Sequence, residues 1–154
     1  MLKIFQGTIG GIMIENVVHN NKLLSVIIRA EYKSNDIEFF TPRDFPQQLG
    51  YMNRAKDYVI APHVHNAVKR VVNYTQEVLF IKKGRVRVDF YNDEKKYIES
   101  RILNQGDVVL LAYGGHGFKM IEDSEIIEVK QGPYVDKQDK IRFESINDNE
   151  VMIK

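Results

Sequence analysis

The chain contains no cysteine among its 154 residues, which excludes disulfides, zinc–thiolate sites and cysteine nucleophiles. Its formal net charge is only +1, so broad electrostatic binding to nucleic acid or to an anionic membrane is not expected. No apolar run is long enough to span a membrane, and the run near the N-terminus is too short for a signal peptide. The lack of a signal-peptide core and of a membrane span predicts a cytoplasmic protein, and the low net charge predicts no nucleic-acid or membrane partner.

Helical periodicity is scarce as well, whereas short apolar strands separated by turn residues recur along the chain. The run RVRVDFY at 85–91 alternates cleanly, with its apolar side chains on one face. Further strands are predicted over 23–29, 37–40, 58–65, 77–81, 108–113, 116–121 and 125–130.

This pattern predicts an all-β barrel or sandwich. A single domain is expected over residues 1–154, with a barrel core over about 23–134. A short polar C-terminal tail over 135–154 follows, and its sequence fits either a terminal helix or a mobile segment.

Three of the four histidines can be linked to this strand pattern. His63 and His65 are one residue apart, so on a strand both imidazole rings project from the same face. Two imidazoles on one face suit a metal ion or a paired acid/base arrangement. His116 follows Gly114-Gly115, which allows the backbone to turn sharply before the ring enters the interior.

Glu77 begins a predicted strand and shares a face with Leu79 and Ile81. If that face is the interior, the carboxylate lies among apolar side chains and needs a cation, a proton or hydrogen bonds. A slip of the strand by one residue would turn Gln76 inward instead.

Two segments together resemble the cupin family. His63 to Gly84 resembles the first cupin motif, H-x-H followed by a short gap, E, six residues and G. Gly106 to His116 (GDVVLLAYGGH) resembles the second motif, and the whole resemblance covers about 39–134. It implies a single-domain cupin, that is, a double-stranded β-helix or jelly-roll barrel. It also implies one divalent ion, iron, manganese, nickel or zinc, and its ligands would be His63, His65, Glu77 and His116.

The chain departs from the cupin motifs in two places. Eleven residues separate His65 from Glu77, where the usual motif has three or four, which implies an enlarged loop over the barrel mouth. In the second motif Ala112 replaces the usual proline, His116 falls one residue early and the closing asparagine is missing.

The runs TQEVLFIKKGRVRVDFY and EVKQGPY resemble small cupins of cell-surface polysaccharide and nucleotide-sugar pathways, some of which are ketoisomerases and epimerases. The resemblance implies isomerase or epimerase action on a sugar or nucleotide sugar in surface-glycan biosynthesis. In such enzymes an H-x-H histidine can act as acid/base without metal. Two alternatives stay open, an iron-dependent dioxygenase of a small organic substrate and a non-catalytic sugar-binding cupin.

Further candidates come from polar residues near the motifs. Glu128 and Lys130 share a face of the strand EIIEVK, and we place them with His63 and His65 among the catalytic candidates; a solvated outer face is the alternative. Substrate-binding candidates are the cationic pair Lys69-Arg70, suited to a phosphate or a diphosphate, and Tyr113. Either these are binding groups or they are solvated loop residues.

A homodimer is also expected, with the apolar run 23–28 pairing across a two-fold axis. An interior strand of one monomer explains this run equally well.

Overall fold

Strands make up nearly all the regular structure in the computed structural model of the chain, which describes residues 13–133, 135 and 139–154. The all-β prediction is therefore confirmed. No helix in these ranges is long and apolar enough to cross a membrane. The strands are β1 (Ile14–His19), β2 (Lys22–Ile28), β3 (Ile37–Phe39), β4 (Gly50–Met52), β5 (Glu77–Lys83), β6 (Arg85–Tyr91), β7 (Tyr97–Asn104), β8 (Val108–Leu111), β9 (Gly115–Met120) and β10 (Glu125–Lys130), and a 3-10 turn follows at Asp148–Glu150.

The described residues fall into two compact units. The larger unit joins 13–32 with those described between 74 and 154, and the smaller unit comprises 33–73. The prediction of one domain stays a prediction.

Two antiparallel sheets form the larger unit. The first has the order β1-β2-β8-β5-β10 and the second the order β7-β6-β9. From β5 the chain crosses to the second sheet for β6 and β7, returns for β8, crosses again for β9 and returns for β10. The described strands of the larger unit thus form two sheets and not one closed barrel.

The hydrophobic core lies between these two sheets, because strands of both contribute buried side chains to one cluster. Alternation decides which residues enter it: on β6, Val86, Val88 and Phe90 are buried in the core as predicted. The cluster consists of Val17, Leu24, Ile27, Leu79, Ile81, Val86, Val88, Phe90, Leu103, Val109 and Leu111.

The apolar run predicted at 23–29 is interior to the first sheet. β2 pairs with β1 on one side and with β8 on the other, and residues 23–28 are buried. A strand with two neighbours is apolar on both faces when both faces are covered. The interior-strand explanation therefore accounts for this run, which offers no free edge for pairing with a second copy.

The segment 141–154, here called the C-terminal strap, packs against the second sheet. The Ser100 N–H donates to the Met152 carbonyl at 2.8 Å, and Ser100 and Ile153 form a parallel bridge. Arg87 donates to Asp148 at 2.8 Å and to Asp89. The strap helps to keep Arg87 only 7% exposed. This part of the tail is therefore neither an α-helix nor detached from the domain.

The smaller unit contains one hairpin, in which β3 pairs with β4. The strand predicted over 58–65 is wrong, because residues 53–76 contain no strand. Pro62 lacks the N–H that a ladder needs, and residues 58–65 are all exposed.

Candidate functional site

Glu77 and His116 face each other between the two sheets of the larger unit. Glu77 begins β5 on the same face as the core residues Leu79 and Ile81. His116 lies on β9 directly opposite Phe90, a core residue of β6, so it shares the inward face of the second sheet. Because the two strands belong to different sheets, the pair spans the gap between the sheets.

The contact between them is a hydrogen bond of defined direction. His116 Nε2 lies 3.1 Å from Glu77 Oε2. An ionised carboxylate can only accept, so Nε2 carries the proton and is the donor of this hydrogen bond. The pair therefore joins a proton donor to a proton acceptor at one end of the sandwich.

The hydrogen bond from His116 is the largest influence on the pKa of Glu77, and it lowers that pKa below its ordinary value. Burial of the carboxyl opposes this shift, while positive charge on His116, Lys130 and Lys140 reinforces it. Glu77 is consequently ionised at neutral pH although its side chain is only 16% exposed.

Lys130 and Glu128 extend this pair along β10. Lys130 lies opposite Glu77 in the ladder, and its Nζ is 3.0 Å from Glu128 Oε1 and 3.9 Å from Glu77 Oε1. Ile127 and Val129 point to the other face and are exposed. Of the two alternatives for Glu128 and Lys130, the register thus supports the inward face.

β9 and β10 are each the last strand of their sheet among the described residues, and we call this side of the larger unit the open edge. Phe118 and Met120 share the inward face of His116 there and are partly exposed. Sequence reasoning did not single them out, although their two-residue spacing from His116 in HGFKM is the signal that could have done so.

The strand register also decides between Glu77 and Gln76. Glu77, and not Gln76, lies on the face of the core residues. Gln76 is buried just before β5, and its backbone N–H donates to Gln131 Oε1 at 2.7 Å. Its own Oε1 is buried without a hydrogen-bond partner, an unusual state for a native side chain.

Tyr113 lies in the connection between β8 and β9 at the same strand ends as Glu77 and His116. Its hydroxyl accepts from Lys22 Nζ at 2.7 Å and donates to Asp93 at 2.9 Å. Its ring makes an edge contact with Tyr74, with 5.2 Å between ring centroids. The hydroxyl is therefore engaged within the chain, and Lys22 Nζ also lies 4.2 Å from the centroid of the Tyr113 ring.

His63 and His65 lie in the smaller unit and are exposed. Their ring centroids are 5.2 Å apart at an interplanar angle of 82°. His63 Nδ1 lies 3.0 Å from the Ala61 carbonyl oxygen, which can only accept, so Nδ1 is the donor of this hydrogen bond. The two imidazoles are therefore adjacent, as expected, although the backbone there is not a strand.

Lys69 and Arg70 lie in the same stretch of the smaller unit and are exposed. Six large aliphatic side chains there are also exposed, an unusual property for a long segment without regular structure. They are Val59, Ile60, Val64, Val68, Val71 and Val72. A segment of this kind is typical of a region that engages another molecule.

The donor types in both pairs suit a divalent metal ion. Within residues 13–133, 135 and 139–154, no group of three or more His, Asp or Glu side chains that could hold a metal is assembled. Two donors about 2.1 Å from one ion lie about 3.0–3.4 Å apart, and Glu77 Oε2 and His116 Nε2 are 3.1 Å apart. These two atoms fit adjacent coordination positions once Nε2 loses its proton.

Comparison of the chain with known protein families, curated proteins and solved structures finds no match. The functional argument therefore depends on the residues of this chain and on their geometry.

Proposed function

We propose that the chain is a cupin that acts as an isomerase or epimerase on a sugar or nucleotide sugar in surface-glycan biosynthesis. The observation that carries the proposal is the Glu77–His116 contact between the inward faces of two sheets. The alternation of β5 to β10 between these sheets supports the jelly-roll assignment, since a jelly roll is built from two such facing sheets.

The residues at the open edge suit proton transfer between adjacent carbons of a sugar. Without a bound metal, ionised Glu77 accepts a proton from the carbon beside a carbonyl group, and His116 Nε2–H donates to the oxygen that gains charge. The electron pair of the broken C–H bond forms the C=C bond of an enediol as the carbonyl oxygen takes the proton from His116 Nε2. Glu77 then returns its proton to the former carbonyl carbon, while the other hydroxyl gives its proton back to His116 Nε2 and becomes the new carbonyl. Lys130 lies 3.9 Å from Glu77, and Glu128 lies 3.0 Å from Lys130, so both side chains are placed to take part in these proton transfers.

A divalent ion is the cofactor that we propose for the complete site, with His63, His65, Glu77 and His116 as its ligands. When bound, such an ion polarises a carbonyl or hydroxyl group of the sugar. The direct Glu77–His116 hydrogen bond equally supports a metal-free variant, in which these side chains and an H-x-H histidine move protons alone.

Substrate binding is proposed for Lys69 and Arg70, whose cationic groups suit the phosphates of a nucleotide sugar, and for Tyr113 with its aromatic neighbour. We also propose a cytoplasmic location and a homodimer.

Metal content tests the cofactor directly. We expect near-stoichiometric iron, manganese, nickel or zinc by plasma mass spectrometry in the native protein, and its loss in His63→Ala and His116→Ala. His19→Ala is the matched control, because His19 is the one histidine outside the proposed ligand set, and it should keep the metal. A folded native protein that stays empty after incubation with all four metals excludes the metal variant.

Isotope exchange then tests the reaction. Incubation with candidate nucleotide sugars in deuterium oxide should place deuterium on the carbon beside the carbonyl. Glu77→Gln should abolish this exchange, since its amide cannot accept the proton. Tight sugar binding without exchange would favour a non-catalytic binding protein, whereas consumption of dioxygen by the iron-loaded protein would favour the dioxygenase.

A further inference from the structure

The connection that carries His116 into the site is held closely by its neighbours. The N–H groups of Ala112 and Tyr113 donate to the Leu24 carbonyl at 2.8 and 3.3 Å. Gly114 has a φ of +77°, and a Cβ there would lie 2.4 Å from the Tyr91 carbonyl oxygen. Only glycine allows both this conformation and this approach.

Phe143 of the C-terminal strap presses on the next residue, Gly115. A Cβ at Gly115 would lie 2.8 Å from Phe143 Cζ, so the ring contacts the bare backbone of β9. Phe143 also packs edge to face on Tyr91, with ring centroids 5.0 Å apart at 82°. Tyr91 and Gly115 are opposite each other in the ladder, so the ring bridges β6 and β9 on their outer face.

The strap is fixed at two further residues on the C-terminal side of this contact point. The Ile146 N–H donates to Tyr91 Oη at 2.9 Å. Asp148 binds Arg87 on β6 at 2.8 Å and also pairs with Lys119 on β9. The strap therefore contacts β9 at Gly115 and at Lys119, which lie on either side of His116.

We propose that Phe143 is a positioning residue that sets the direction of the His116 ring towards Glu77. β9 has a strand neighbour on one side only among the described residues, so its backbone depends on support from its outer face. Side chains alternate along a strand, and pressure on the outer face at Gly115 therefore fixes the inward projection of His116. The functional value of this role rests on the proposed function, while the geometry itself is independent of it.

Nitrogen NMR of the histidine rings tests this proposal. With four histidines, long-range proton–nitrogen spectra of the full chain contain few ring signals, and His116→Gln assigns those of His116. Glu77→Gln supplies the reference for a His116 ring without its carboxylate acceptor. In Phe143→Ala we expect the Nε2 signal of His116 to move towards that reference, with a smaller movement in Phe143→Leu.

Ile141→Ala is the control, because Ile141 is an apolar strap residue that is 75% exposed. It should leave the His116 signals unchanged, and the His19 signals should stay fixed in every variant. A folded Phe143→Ala whose His116 signals match those of the native protein would overturn the proposal.

If Phe143→Ala does not fold, Gly115→Ala and Phe143→Leu decide the question. The added methyl at Gly115 presses on the Phe143 ring, so it should displace the His116 signals, and unchanged signals in both folded variants would again overturn the proposal. These spectra need no metal and no turnover. A failure of the proposed function therefore leaves their outcome intact, and the reverse also holds.

Discussion

The two edges of the larger unit use the same kind of contact for different purposes. At the side formed by β1 and β7, here called the closed edge, Glu15 accepts from Arg29 at 2.7 Å and from Arg101 at 2.9 Å. At the open edge, Glu77 accepts from His116 at 3.1 Å. Both carboxylates lie on inward faces, and their side chains are 18% and 16% exposed. The difference therefore lies in the partners and not in burial.

Partners at the closed edge are permanent cations with saturated contacts. Arg29 binds Asp107 at 2.8 Å and the Ile102 carbonyl at 2.7 Å in addition to Glu15, while Arg101 binds Glu99 at 2.7 Å. A guanidinium does not lose its proton in a protein. Three acidic and three basic side chains, including Lys154 on Glu99, thus form a network in which Glu15 itself binds two guanidinium groups.

Partners at the open edge are groups that can change protonation. The His116 imidazole can serve as a proton donor or acceptor, and Lys130 Nζ is 3.9 Å from the second oxygen of Glu77. The comparison teaches that two equally buried carboxylates differ in the partners that compensate their charge, two guanidinium groups for Glu15 and an imidazole with a nearby ammonium for Glu77.

The largest effect should follow from Glu15→Gln. The substitution leaves two largely buried guanidinium groups without their shared carboxylate, which should lower the free energy of unfolding by about 3 kcal/mol. Urea unfolding followed by circular dichroism measures this loss. Glu125→Gln is the control, because the exposed Lys82–Glu125 pair should contribute less than about 1 kcal/mol. Equal losses in the two variants would show that the closed edge has no special stabilising role.

Glu77→Gln should lower the free energy of unfolding by less, about 1 kcal/mol at pH 7. It weakens a hydrogen bond to a charged group, but it also removes a buried charge, and the second effect offsets part of the first. The folded pKa of Glu77 lies below its ordinary value of about 4.3. The ionised carboxylate therefore stabilises the fold above that pH, and this contribution is lost as pH falls through the folded pKa.

Urea midpoints measured between pH 7 and pH 3 should show this dependence. The difference in urea midpoint between the native protein and Glu77→Gln should stay constant at neutral pH and shrink in acid. A difference that grows as the pH falls would mean that the carboxyl is stabilised in its protonated form, and it would contradict the proposed hydrogen-bond direction.

The smallest effect on stability should follow from Glu128→Gln. Its side chain is 43% exposed and pairs with Lys130 at the open edge, so the free energy of unfolding should change by no more than about 0.5 kcal/mol. Isotope exchange should fall in this variant if Glu128 shares in proton transfer. A loss of stability comparable to that of Glu15→Gln would remove the distinction between the two edges.

The same contrast explains which strands the sequence pattern predicts. β6 is predicted with its full bounds, since its inward residues are all apolar and alternate with polar ones. β1 and β7 were not predicted, because their inward positions include Glu15, Glu99 and Arg101 in place of apolar residues. Local alternation cannot anticipate an ion network assembled from distant strands, and the pattern is lost where the network begins.

The candidate site was predictable to a similar degree. The inward face of Glu77 follows from its spacing to Leu79 and Ile81, and the Gly-Gly-His turn indicated where His116 enters. The strand around His63 and His65 was wrong, because alternation at 58–65 says nothing about whether a neighbouring strand provides hydrogen bonds. The support from Phe143 has no local signal, since it depends on a packing contact between segments far apart in sequence.

The interior position of β2 has a consequence for how the protein acquires its structure. Its hairpin with β1 forms from local residues, but its second neighbour is β8, with Ser25 opposite Leu111. Contacts between residues so distant in sequence form slowly. Until they do, the run LLSVII presents an unpaired apolar edge, which is the kind of surface that recruits other chains. Aggregation during refolding should therefore compete with the docking of β8, and dilution should shift that competition towards the native state.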